Sequence, residues 1–198
     1  YAGNGLNQYT AAGATGFQYD GRGNLKASGQ HLYGYDRLNQ LGAYQTPGGF
    51  LTRLYYDPTG RLNRIADPTG AVLHLYAGTM RVAEFGGDAN MLRRYVPGPG
   101  TDEIVVWYEG GGTADRRWLH ADERGSVVAV SDGSGSAIAI NRYDEYGIPQ
   151  AGNLGKFQYT GQAWVPELGM YYYKARFYSP TLGRFMQTDP IGYGDGMN

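Results

Sequence analysis

Few residues in this 198-residue chain could do chemistry, and most of them stand where turns are expected. Asp57, Asp67 and Asp189 each precede a Pro-X-Gly, a pattern that readily serves as a simple turn. His31, His74 and His120 are scattered without metal-ligand spacing, so structural roles are expected for them. There is no cysteine, which excludes disulfides, thiolate metal sites and a Cys nucleophile. The serines lack a nucleophile-elbow context, and no glycine motif sits between a strand and a helix as a phosphate loop requires. Asp132-Gly133-Ser134-Gly135 lacks the further acidic ligands of a calcium loop. Gly192-Tyr193-Gly194-Asp195-Gly196 is similar to one calcium-binding nonapeptide, a site that needs stacked copies. No metal and no cofactor are expected.

The elements around these aspartates form a repeat: an aromatic, Asp, two or three residues, Gly, a polar residue and an aliphatic one. Tyr19-Asp20-Gly21-Arg22-Gly23-Asn24-Leu25 and Tyr56-Asp57-Pro58-Thr59-Gly60-Arg61-Leu62 are copies. Asp67 with Gly70, Asp122 with Gly125 and Asp144 with Gly147 continue the series, and in Tyr35-Asp36-Arg37-Leu38-Asn39 the Gly is replaced by Asn39. Asp at the first position of a type I turn accepts backbone N–H groups two residues on, Pro presets φ, and Gly takes a left-handed conformation. Asn is the best substitute there. Each copy therefore predicts a β-hairpin with a three-residue connection. Ile104–Tyr108, Ser126–Val130 and Ala137–Ile140 read as strands, and Gly110-Gly111-Gly112 as a long hairpin loop rather than a linker. A β-propeller would need blade-length repeats of about 40 residues, and the spacing here is shorter and irregular.

Composition agrees. The chain has 33 Gly and 19 Tyr, and only 18% charged residues, which suits short strands joined by tight turns. A net charge of −1 gives no electrostatic case for nucleic acid or an anionic membrane. No apolar run approaches the ~18 residues of a membrane span. Mean hydropathy is below zero, as expected of sheets that wall a cavity. The chain begins at Tyr1 without a signal pattern and reads as a fragment with an open sheet edge, unstable without its remainder.

Residues 143–198 resemble the Rhs-associated core region that ends YD-repeat proteins. The resemblance rests on Tyr143-Asp144-Glu145-Tyr146-Gly147, on Phe157-Gln158-Tyr159-Thr160-Gly161-Gln162, and on the run from Glu167 to Pro180. Gly183-Arg184-Phe185 and Asp189-Pro190-Ile191-Gly192 complete it, and the repeats over 1–142 extend it upstream. Met170–Tyr178 reads as one strand, with Tyr171, Tyr173, Ala175 and Phe177 on one face. Met170, Tyr172, Lys174, Arg176 and Tyr178 lie on the other, as a wet inner wall or contact surface would have them; ordinary cross-strand aromatic packing is the alternative.

The resemblance implies an all-β fold of successive hairpins in a spiral antiparallel sheet, part of a hollow shell. It implies a bacterial protein, secreted or at the cell surface, that encloses a variable toxic domain and is not itself an enzyme. The partners implied are the remainder of the shell, its cargo and a secretion-system component. Such core regions often contain an aspartyl self-protease, in which two adjacent carboxylates share a proton. Asp189 matches one of the two; the second would lie beyond Asn198. Arg184 stands just upstream, where a cation would bias a nearby carboxylate towards ionisation. A different reading is an adhesive module, similar to teneurins, whose Trp107, Trp118 and Trp164 recognise glycans or a partner surface.

Overall fold

The computed structural model describes residues 2–5 and 8–190. Their regular structure is two antiparallel sheets and a single 3-10 turn, Tyr159–Gly161. The larger sheet runs in sequence order through β1 (Ala2–Gly3), β2 (Tyr9–Ala12), β3 (Thr15–Tyr19), β4 (Leu25–Ser28), β5 (His31–Tyr35), β6 (Leu41–Gln45), β7 (Leu51–Tyr56) and β8 (Leu62–Asp67). It continues through β9 (Gly70–Ala77), β10 (Met80–Gly86), β11 (Met91–Pro97), β12 (Ile104–Glu109), β13 (Arg116–Ala121), β14 (Val127–Ser131) and β15 (Ala137–Ile140). The smaller sheet holds β16 (Ala163–Val165), β17 (Met170–Tyr172), β18 (Phe177–Ser179) and β19 (Arg184–Phe185). Each strand pairs with its sequence neighbours, so the larger sheet is an unbroken meander whose two ends do not meet.

One face of this meander, called inner here, is covered by the chain's own C-terminal segment. Leu25 donates its N–H to the Met186 carbonyl at 3.0 Å, and Val127 donates its own to the Gln158 carbonyl at 3.1 Å. From β4 to β14 is ten strand intervals (14 − 4), about 48 Å along a flat sheet at ~4.8 Å each. The segment bridging them is far narrower: four strands of the smaller sheet, with Phe157 bridged to Ala163 at their edge. A span that wide can meet so narrow a piece at both ends only by curling around it.

Two cores fill the space between. In the first, Leu25, Leu41, Leu54, Leu62 and Ile65 pack against Val165, Met170, Phe177 and Met186. In the second, Tyr95, Ile104, Trp107, Val127 and Val130 pack against Phe157 and Ala163. Complete burial of Leu41, Leu62, Tyr171 and Phe177 makes the C-terminal segment part of the molecule's apolar interior.

Met170–Tyr178 is not a single strand. The chain reverses between Tyr172 and Phe177, with Tyr173 N–H on the Arg176 carbonyl at 2.8 Å and Lys174 at φ 63°. No Gly, Pro or Asn marks this turn in the sequence. Distant partners hold it, since Lys174 ion-pairs with Asp102 and Arg176 with Asp189.

Candidate functional site

The recurrent aspartates cap hairpin turns along the sheet's rim. At Asp57 the carboxylate accepts N–H groups from Thr59 (2.9 Å) and Arg61 (3.1 Å), while Gly60 N–H closes on the Asp57 carbonyl at 2.9 Å. The Thr59 hydroxyl and Arg61, outweighing the opposing effect of burial, hold this carboxyl well below the usual carboxylate range. Gly60 sits at φ 84°, and the pairing register slips between Tyr55 and Tyr56, so the turn carries the bulge of a three-residue hairpin. Asp20 caps Arg22 and Asn24, Asp122 caps Arg124 and Ser126, and Asp144 caps Tyr146 and Ile148 in the same way. Gly125 N–H returns to the Asp122 carbonyl, and Gly147 N–H to that of Asp144. Gly147 is held to glycine twice: its φ is 92°, and a Cβ there would stand 2.4 Å from the Tyr159 ring.

Asp67 departs from this pattern. It pairs directly with Gly70 across a two-residue loop, the register does not slip, and Gly70 lies at φ 157° rather than near its counterparts' 80–90°. Asp67 still accepts N–H groups from Thr69 and Gly70.

The tyrosines of the repeat have a role that sequence reading missed. Tyr35 donates its hydroxyl to the Leu25 carbonyl, Tyr56 to Leu41, Tyr76 to Leu62 and Tyr143 to Val127, at 2.7–2.8 Å. Each acceptor is the buried aliphatic residue that follows an earlier turn. The bulge also turns that residue's N–H inward, where Leu62 donates to the Tyr172 hydroxyl (3.0 Å), Leu25 to Met186 and Val127 to Gln158. At three turns, Leu25, Leu62 and Val127 therefore fasten a later hairpin with the carbonyl and the C-terminal segment with the N–H. The fixed spacing from Tyr to the following aliphatic carried this information. Asp132 was left out of the series, read only as a Gly-rich break between strands, yet it caps Ser134 and Ser136 in the same way.

The aromatic run does not form a wet wall. Tyr171 is completely buried, its hydroxyl on the Gly147 carbonyl at 2.9 Å, and Tyr172 is 5% exposed, because the hairpin points both into the interior. Tyr173 meets the Thr160 hydroxyl at 2.5 Å. The three tryptophans do not all converge: Trp107 and Trp164 line one cleft, while Trp118 lies on the outer face. Arg176 pairs with Asp189 at 2.6 Å, the two side chains 15% and 11% exposed. Arg184 lies over the Tyr9 ring at 3.6 Å. Ile191, Gly192 and the sequence from Tyr193 to Gly196 lie outside the described residues.

Beyond the rim, strands β9 to β12 carry a charged row across the inner face. His74, Glu84, Arg93 and Glu109 are successive cross-strand partners. Arg81 and Arg93 each donate to Glu84 at 3.1 Å, and Arg93 donates to Glu109 at 3.0 Å. Burial alone would raise the Glu84 carboxyl, but Arg81 and the neighbouring cations hold it down to about 2. Burial, and then Arg81, push His74 down to about 3, so it is neutral, bonded to the Leu62 carbonyl. Beside this row opens a cleft of about 490 Å³ lined by Arg93, Trp107, Glu109, Arg117, Lys156 and Trp164, among others. His31 and His120 bond Tyr44 and Ser131, and no cluster able to hold a metal occurs among the described residues.

No protein-family model matches the chain. It is 28% identical over 96% of its length to the tRNA nuclease WapA of Bacillus subtilis, covering 8% of that protein. It is 28% identical over 92% of its length to double-stranded DNA deaminase toxin A of Burkholderia cenocepacia, covering 16% of it. Its fold matches a chain of the TcdB2–TccC3–TEV crystal structure with a TM-score of 0.66 at 18% identity, over 93% of this chain and 11% of that one. A chain of the Photorhabdus luminescens Tc holotoxin pore matches with a TM-score of 0.70 at 17% identity, over 91% of this chain and 10% of that one. The chain thus spans a small part of each protein it resembles; it is similar to segments of these toxins and has the open, antiparallel all-β architecture of the two Tc toxin chains.

Proposed function

We propose that this chain is a wall segment of a β-shell in a secreted bacterial protein, and that the shell encloses a toxic or effector domain. Residues 1–142 are the wall, and 143–198 are a core region whose described residues, to 190, fold back inside it. The observation that carries this reading is the meander curled around its own C-terminal segment, with Leu25, Leu62 and Val127 after three of its turns bonded to both. A sheet so arranged is a container element, and the role is structural rather than catalytic. The partners are the rest of the shell and its cargo. Glycan recognition is disfavoured, since Trp118 stands apart from Trp107 and Trp164, whose rings are met by Arg117 and Tyr171.

The test is protease digestion of the full-length parent protein. The domain that follows residue 198 should survive at protease levels that destroy the same domain produced alone. Equal digestion in both settings rejects enclosure.

A second reading concerns Asp189. Its carboxylate is nearly buried and paired with Arg176, more confinement than a surface turn needs. It is one half of an acid pair for self-cleavage, completed by a second Asp further along the parent. Intact mass of the parent, wild type beside Asp189→Asn, decides this: two fragments against one supports it, and two whole chains reject it.

A further inference from the structure

We propose that the cleft between β11–β13 and residues 149–166 binds an acidic peptide segment, with Lys156 as the anchoring cation. The inference stands on the cleft alone and needs nothing of the shell reading. At about 490 Å³ the cleft lies within the ~300–1,000 Å³ of ordinary ligand sites.

Its charges are unevenly matched. Arg93 is satisfied by Glu84 and Glu109, and Arg117 by Asp115 at 2.6 Å. Lys156 has no ion pair among the described residues. In and beside the cleft stand four cations (Arg81, Arg93, Arg117, Lys156) against three anions (Glu84, Glu109, Asp115), leaving one positive charge over. An excess charge at a partly desolvated site attracts a counter-charge more strongly than one in open water. A single surplus suits a carboxylate better than a dianion.

The remaining groups favour a peptide over a sugar. A sugar stacks on an open aromatic face, but the Arg117 guanidinium lies 4.3 Å over the Trp107 ring, and Trp164 leans on Tyr171 at 4.7 Å. Hydrogen-bonding capacity is left over instead at Gln150, which lines the same cleft. Unmet polar groups of this kind are suited to peptide carbonyls.

The probe is N-acetyl-Ala-Glu-Ala-amide, titrated into the nitrogen-15-labelled chain and followed by the indole N–H signals of its tryptophans. Trp107 and Trp164 should shift saturably while Trp118, on the opposite face, stays still. The Lys156→Gln chain should bind roughly 10-fold more weakly, as loss of one charge-assisted contact implies, and Lys156→Arg should bind as the wild type does. The Gln counterpart of the peptide should leave the wild-type signals unmoved. Equal shifts with the Glu and Gln peptides, no saturation, or undiminished affinity in Lys156→Gln each overturn the proposal; the peptide comparison needs no variant to fold.

Discussion

Strands β3–β8 and strands β9–β13 meet the C-terminal segment with different chemistry, although one sheet contains both. The first stretch presents leucines, isoleucine and aromatics, and its contacts are dry. The second presents the row His74, Glu84, Arg93 and Glu109, with Arg81 beside it and an open cleft at its end. Apolar burial stabilises without direction, so on the first stretch hydrogen bonds such as those of Leu25 and Leu62 must set where the segment sits. A buried ion row contributes little net stability but penalises misregister heavily, because a slip strands a charge. One half of the face holds the segment, and the other fixes the register of the strands that carry it.

Glu84→Ala should break this contrast most severely. It leaves Arg81, 5% exposed, without its carboxylate, at a cost of about 3–5 kcal/mol in urea unfolding of the chain. Replacing Arg81 and Glu84 together with Met and Leu should recover most of that loss. If the double variant is no better than Glu84→Ala, the row is not a matched set.

On the apolar side, Leu62→Ala removes a fully buried side chain and should cost about 2–5 kcal/mol. No paired replacement should rescue it. A cost below that of an exposed leucine such as Leu75 would mean the dry core is not what holds the segment.

Acid should act on the charged half selectively. Unfolded His74 takes up a proton below about pH 6.5 while the native residue resists until about 3, so the unfolded state binds more protons and stability falls through that window. Glu84 is ionised in the native state down to about 2 but protonates near 4.5 when unfolded, which adds a further loss below 4.5. His74→Gln should flatten the arm between pH 6.5 and 4.5 and leave the lower one. Identical slopes in the two proteins would sink the assignment.

The smallest effect expected is that of Tyr56→Phe, which removes one hydroxyl from the Leu41 carbonyl and should cost about 1 kcal/mol. Tyr55→Phe, at an exposed neighbouring position, should be silent. A cost for Tyr55 equal to that for Tyr56 would detach the effect from the rim contact.

Hairpins and turn residues were legible because Asp, Pro and Gly act on their own backbone within four residues, as at Asp57 to Gly60. The fold class followed from the resemblance and from those turns together. What was not legible depends on distant partners. The reversal at Lys174 has no local signal, since Asp102 and Asp189 stabilise it from elsewhere. The charged row hides in the sequence as scattered His, Glu and Arg residues that only strand pairing aligns. The cleft is assembled from residues tens of positions apart and has no motif.

Between hairpins the tyrosine contacts along the rim point one way: Tyr35, Tyr56, Tyr76 and Tyr143 each reach back to a residue already laid down before them, and Tyr35 in addition meets the Met186 carbonyl of the C-terminal segment. No hairpin in this series waits on a later one for that bond. A chain built so can be completed progressively from its N-terminal side as it leaves a ribosome or a narrow export channel. Only the final closure needs a long-range search, when the C-terminal segment finds Leu25, Leu62 and Val127.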